Sequence, residues 1–260
     1  MRIDRLCQAA FILGLLALTS CGPQPAEQPL AGVNGLEWED RELERFSGEC
    51  DTTDAPCGRF AAEYPEFTSA PAPGVLESLN EAVDVLLTDG RPVPLATMAS
   101  EFIAAYRTAR QEFPGAASTQ RWEEEKVARV LYHDDRHVSL LLEEYSYTGG
   151  AHPNSRRIYG TWSLADGGRL ALADLLKPGF EGPLAEVGEA VFREARGISA
   201  NEALEERGFT FPDGDFALPD NFAVTGDGLL FFYNSYEIAP YALGPTEVEI
   251  SFEELGELVR

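Results

Sequence analysis

Two helical periods standing back to back between strand-like runs constrain this chain more than any other feature. Val75, Leu76, Leu79, Ala82, Val83, Leu86 and Leu87 recur at the i, i+3, i+4 spacing of one buried face. Thr88-Asp-Gly-Arg-Pro ends that period. Met98, Phe102, Tyr106 and Ala109 stripe a second helix over about 97–113, which Pro114-Gly115 stops. Upstream, residues 36–46 and 57–67 read as paired strands, the second closed by Pro65. Downstream, 122–132 and 137–148 flank Asp134-Asp135 as a hairpin, and 158–164 alternates as a third strand. After the Asp166-Gly-Gly turn, 169–172 reads as a short strand or extended segment. Helices are expected at 182–196 and, capped by Ser199, at 200–207. Residues 222–225 and 229–233 bracket Gly226-Asp-Gly as a hairpin. A strand over 247–252 and a helical turn over 252–259 close the chain. Helices paired between runs of strands predict an α+β fold with helices packed on antiparallel sheets, not an alternating parallel α/β fold. The expected division is two similar-sized subdomains, 36–150 and 151–260, and no repeat of 20–50 residues recurs.

The N-terminus carries different information. Arg2 and Arg5 precede an apolar run over 9–18, too short for a spanning helix and the right length for the core of a secretory signal. Leu18-Thr19-Ser20-Cys21 resembles the lipobox of bacterial lipoproteins, which implies cleavage after residue 20 and lipidation of Cys21. The alternative is an ordinary secretory signal with a chance cysteine. Residues 21–35, rich in Pro, Gln and Gly, cannot pack a core and read as a flexible tether. Gly22 stands where an Asp marks inner-membrane retention in Gram-negative bacteria. The resemblance therefore implies a cell-envelope protein delivered to the outer membrane and facing the periplasm in such a host.

The remaining 225 or so residues, from a chain 44% hydrophobic and 10% aromatic, suffice for one large domain or two small ones. The precursor has a formal charge of -24, and removing Arg2, Asp4 and Arg5 with the signal makes it -25. Such a body repels nucleic acid and anionic lipid, so the membrane is met through the lipid anchor only, whereas a cationic protein would be steered toward it. Acidity that serves solubility alone is the plainer reading. Cys50 and Cys57 are the cysteines left in the folded part and, outside the cytoplasm, read as a disulfide across a turn-rich loop. No metal site is expected there, because no His lies nearby.

Tyr147-Thr-Gly-Gly-Ala-His-Pro-Asn154, Leu172-Ala-Asp-Leu-Leu176 and the stretch from Leu229 to Pro245 resemble the family that forms the extracellular part of RsiV, the lysozyme-sensing anti-sigma factor. Tyr64-Pro-Glu-Phe67 and Leu79-Asn80 resemble the small N-terminal domain of the peptidoglycan deacetylase PdaC. The expectation is thus a PdaC-type domain over 36–150 and an RsiV-like domain over 151–260. Neither a sigma-binding segment with a spanning helix nor a deacetylase catalytic domain is expected in this chain.

Candidate binding residues are Gly149, Gly150, His152 and Asn154 in one loop, and Tyr236, Glu237, Pro240 and Tyr241 in the other. Glycines permit positive φ, and a neutral imidazole serves as base, ligand or anchor. The plainer reading of the first loop is a structural turn whose His152 and Asn154 bond its backbone, because no partner motif is visible. The aromatics of the second form an interface or pack under the last strand. His133 and His137, flanking Asp134-Asp-Arg136, read as solvated turn residues. Glu143 and Glu144 would point to opposite faces of a strand and cannot flank one glycosidic bond. No nucleophile elbow, metalloprotease helix or phosphate loop is present, and no cofactor or metal is expected. Three functions follow: an envelope binding protein for lysozyme-like proteins or peptidoglycan-derived ligands, a peptidoglycan-modifying enzyme using His152, or a structural envelope lipoprotein.

Overall fold

A charged edge strand, β1 (Glu37–Gly48), is the first strand among the described residues; charges along an open edge discourage strand-to-strand aggregation. The computed structural model describes residues 35–51, 55–116 and 119–260. The expected signal peptide, the expected lipidation site Cys21 and nearly all of the expected tether over 21–35 lie outside them. β1 runs antiparallel to β2 (Cys57–Ser69), and the Cys50–Cys57 disulfide staples their turn with Cα atoms 5.0 Å apart. Pro65 does not close β2. β3 flanks β2 only as far as Glu63, so Pro65 sits where one side of the strand has no ladder bond to lose.

The helices α1 (Pro73–Leu87) and α2 (Leu95–Glu112) follow as the periodicity predicts, and they return the chain to β3 (Arg121–His133), beside β2. That return makes the β2–β3 pair parallel, a correction to the all-antiparallel expectation: a crossover of two helices lets neighbouring strands run in one direction. β4 (His137–Tyr147) and β5 (Asn154–Ser163) complete an antiparallel run and a five-stranded sheet in sequence order. β5 starts at Asn154, not 158, and belongs to this first sheet, so the break between sheets falls after Ser163. Residues 169–172 give only a bridge, Trp162–Arg169, before the short α3 (Leu172–Leu175).

α4 (Glu181–Arg196) ends at Gly197, whose φ of 62° lets its N–H and that of Ile198 return to carbonyls of the last turn. The helix expected over 200–207 is absent except for a turn at Glu205–Arg207. The Arg193 guanidinium donates to the carbonyls of Ser199 and Glu202 (3.1 and 2.9 Å), taking acceptors that a helix would use, while Ile198 and Leu204 turn into the core. Tertiary packing here overrides propensity. β6 (Phe222–Val224), β7 (Gly228–Tyr233) and β8 (Thr246–Ser251) form an antiparallel second sheet, followed by α5 (Phe252–Leu255). The fold is α+β. One core lies between α1, α2 and the first sheet, and a second surrounds Phe192, Phe211 and Phe231. A small third cluster, Leu141, Tyr159, Ala223, Leu230 and Phe232, joins the two sheets. Among the described residues no helix is long and apolar enough to cross a membrane.

Candidate functional site

Where the two sheets meet, polar side chains substitute for a missing strand. Asn221 Oδ1 accepts from the backbone N–H of Tyr159 (2.7 Å), and its amide donates to the carbonyls of Arg157 and Phe232 (both 2.9 Å). Asn234 accepts from the N–H of Arg157 (2.7 Å) and donates to its carbonyl (3.0 Å). The free edge of β5 is thus satisfied by amides that mimic a backbone partner. Deeper, Ser139 and Thr161 hydroxyls, 2.8 Å apart, tie β4 and β5 to the backbone of Val224.

This seam carries the two candidate loops to one place. Gly149 and Gly150 adopt φ of 89° and 125°, which turn the chain after β4, and the Tyr147 hydroxyl donates to the Gly150 carbonyl (3.2 Å). His152 emerges exposed. Its ring stacks on Tyr241 with centroids 4.0 Å apart and planes 16° from parallel. Its Nε2 lies 3.3 Å from the Tyr236 hydroxyl, and its Nδ1 lies 2.8 Å from the Pro153 carbonyl. A carbonyl only accepts, so in the neutral imidazole Nδ1 carries the proton and Nε2 receives the Tyr236 hydrogen. Tyr236 and Tyr241 rings lie 5.6 Å apart, so three rings form one exposed patch. Tyr236 is 60% exposed and sits at φ of 73°, rare for a bulky residue.

The other expected residues have supporting places. Glu237 closes the turn under Tyr236 by accepting from the Asn234 N–H (2.9 Å). The Pro240 carbonyl accepts from the Leu243 N–H (2.9 Å) and begins the turn that presents Tyr241. Asn154 opens β5 opposite Ser146 and lines a shallow cleft of about 440 Å³ with Asn221, Asn234 and Glu237. Arg196, which sequence reasoning missed, holds the Tyr241 loop from behind. Its guanidinium donates to the Leu243 and Pro245 carbonyls (3.2 and 2.7 Å) and to Thr246 Oγ1 (2.9 Å). It also lies over the Phe209 ring at 5.2 Å. An Arg in the last turn of a helix reads as dipole complement, so nothing in the sequence marked it as a loop clamp.

Glu143 and Glu144 do point to opposite faces. Glu144 shares a rung with Lys126 and Arg156 and ion-pairs with both; Asp89, at the end of α1, joins the same two cations. Glu143, on the other face, pairs with Arg129 and Arg157 (3.1 and 2.9 Å). A larger cleft of about 560 Å³ opens on that second face, walled by Phe232, Asn234 and Pro245 from the second sheet and its loop. The histidines at the β3–β4 turn are not solvated. His133 is buried edge-on to Trp38 (5.7 Å), its two ring nitrogens without a hydrogen-bond partner among the described residues. His137 is partly covered and 3.4 Å from Asp134, whose carboxylate accepts the N–H groups of Arg136 and His137. A register shift between Val130 and Tyr132 breaks the alternation of β3 and carries His133 inward, which the turn signal hid. Among the described residues no group of three or more His, Cys, Asp or Glu side chains could hold a metal ion.

Two family models match separate parts of the chain. Residues 52–155 match the family model described as Deacetylase PdaC, and residues 173–253 match the model of a protein family of unknown function, DUF3298. The peptidoglycan-N-acetylmuramic acid deacetylase PdaC of Bacillus subtilis (strain 168) is 21% identical over 145 residues, 55% of this chain and 30% of that protein. Immunogenic protein MPT64 of Mycobacterium tuberculosis (strain ATCC 25618 / H37Rv) is 31% identical over 111 residues, 42% of this chain and 46% of that one. The chain therefore spans less than half the length of these curated relatives. The crystal structure of a DUF3298 family member from Bacteroides fragilis NCTC 9343 superposes with a TM-score of 0.72 at 21% identity, covering 87% of this chain and 95% of the other. One from Pseudomonas aeruginosa PAO1 gives 0.60 at 23% identity, with 86% and 95% covered. Both show the same fold.

Proposed function

We propose that this chain, a PdaC-like segment followed by a DUF3298 segment, is a cell-envelope binding protein, anchored by lipid at Cys21, that captures cationic lysozyme-like proteins through His152, Tyr236 and Tyr241. The observation that carries the reading is the convergence of two loops on one exposed stack, with Tyr236 in a strained backbone conformation and largely outside the core. Backbone strain of about 1–3 kcal/mol is kept where the surroundings impose it, commonly at sites that bind or react. Open aromatic faces on a chain of charge -24 suit lysine and arginine side chains, which gain cation–π attraction at contact and steering at a distance. A tether ahead of the folded body gives such a patch reach from an outer-membrane anchor.

The test is calorimetric titration of residues 32–260 with hen-type lysozyme at low and moderate salt. Saturable binding of fixed stoichiometry that survives moderate salt is expected, and Tyr241→Ala should weaken it about tenfold or more. Attraction that disappears with salt would sink the reading. A second reading, a peptidoglycan-derived ligand met by an enzyme that uses His152, draws on the Pro153–His152–Tyr236 hydrogen bonds, since they aim Nε2 as a proton acceptor. Turnover of cell-wall fragments abolished by His152→Ala would favour it. Silence in both assays would leave the structural lipoprotein.

A further inference from the structure

We infer that the 560 Å³ cleft on the outer face of β3–β5 binds a short peptide with free ends, its ammonium at Glu125 and its carboxylate at Arg129. The volume lies within the range of small-ligand sites. Three successive rungs of the sheet form the floor, and their chemistry changes along the strands. Glu125, Tyr145 and Ser155 share the first rung. The Glu125 carboxylate lines the cleft within the field of Arg59, whose own hydrogen bond goes to Glu44, and Tyr145 and Ser155 carry hydroxyls along the same rung. An ammonium has three donors, which this carboxylate and these hydroxyls can accept.

The middle rung is neutral. Arg157 gives two bonds to one Glu143 oxygen (3.0 and 2.9 Å) and lies over the Phe232 ring at 5.4 Å, so its charge is committed. Val127 and Pro245 make the remaining middle surface apolar. At the far rung stands Arg129, its side chain 61% exposed, with a single 3.1 Å contact to Glu143. Most of its five donors are open to a carboxylate.

Span fixes the ligand's size. Glu125 and Arg129 are four residues apart on one strand, about 13 Å at the rise of a β-strand. An extended peptide covers roughly 3.3–3.6 Å per residue, so three or four residues bridge the two charges. A single amino acid cannot reach both.

The experiment titrates tri-alanine and tetra-alanine, and their N-acetylated and C-amidated forms, into the full chain. It reads the cleft whether or not a protein partner binds the aromatic patch. Free peptides should bind saturably, and each cap should weaken binding about tenfold through loss of one charge-assisted contact. Glu125→Gln should erase the difference between free and acetylated peptide alone. Arg129→Gln should erase the difference between acid and amide alone. Both side chains lie on the surface of the cleft, so thermal midpoints should not move, which separates lost binding from lost folding. Capped peptides binding as well as free ones, alanine itself binding as tightly as tetra-alanine, or no saturable binding at millimolar peptide would each overturn the inference.

Discussion

The same three strands carry two charge arrays, one on each face, and their sequence neighbours have opposite fates. Toward the helices, Lys126, Glu144 and Arg156 share a rung that Asp89 closes from the end of α1. Lys126 is 1% exposed there and Glu144 10%. One residue along, Val127, Glu143 and Arg157 share the next rung on the open face, where Glu143 is 31% exposed and Arg157 42%. Alternation alone separates them. The inner charges have lost water and depend on one another. The outer ones pair with each other but keep their contact with water. Depth, and not residue type, decides which array is framework and which is surface chemistry.

The largest expected effect comes from the inner array. Lys126→Met removes the buried cation of this array and leaves Glu144 and Asp89 with Arg156 alone. Breaking a buried network from one side costs about 3–5 kcal/mol, read as a lower urea midpoint with unchanged slope. A loss under about 1 kcal/mol, the usual worth of exposed pairs, would erase the distinction between the two faces.

The matched pair Glu144→Gln and Glu143→Gln sharpens the comparison, since the two differ by one position in sequence. Glu144→Gln should cost several times more. Glu143→Gln should cost at most about 1 kcal/mol, and the cost should shrink in high salt because exposed pairs are screened. Equal costs, or a salt dependence at Glu144 as large as at Glu143, would mean that water reaches the inner rung.

Periodicity made much of the framework legible. The faces of α1 and α2, the β3–β4 hairpin and the Gly226-Asp-Gly turn could all be read from local spacing. Parallel pairing of β2 with β3 could not, because it depends on how a two-helix crossover returns and not on either strand. His152 and the Tyr236–Tyr241 stretch could be singled out separately as loop residues. Their stacking could not, since Asn221, Asn234 and Arg196 hold the loops through partners as far as 47–77 residues away. Lys126 was invisible for a related reason. A lysine in a Glu-rich strand reads as solvated, and only the αL turn at Asp89, with φ of 55°, brings the acid that helps to bury it.

Glu124 offers the finest test, because it stands on the inner face without a full share of the network. Its nearest cation contact is Lys126 at 3.8 Å. Burial raises its pKa above the ordinary carboxylate value; Lys126 opposes the rise, Asp89 adds to it and Arg156 opposes it. A carboxyl whose pKa is higher folded than unfolded favours folding while protonated, and that contribution is lost as pH rises through the folded value. Glu124→Gln should therefore raise stability at neutral pH by a small amount. The gain should fade as pH drops toward the unfolded carboxyl pKa of about 4.3. Urea denaturation of parent and variant at pH 4 and pH 7 measures the difference. A variant equally stable with its parent at both pH values would mean that Lys126 fully offsets the burial of this carboxyl, and the inner face would then hold no charge at a net cost. A variant less stable at pH 7 would place Glu124 among the acids that hold Lys126, enlarging the buried array by one member.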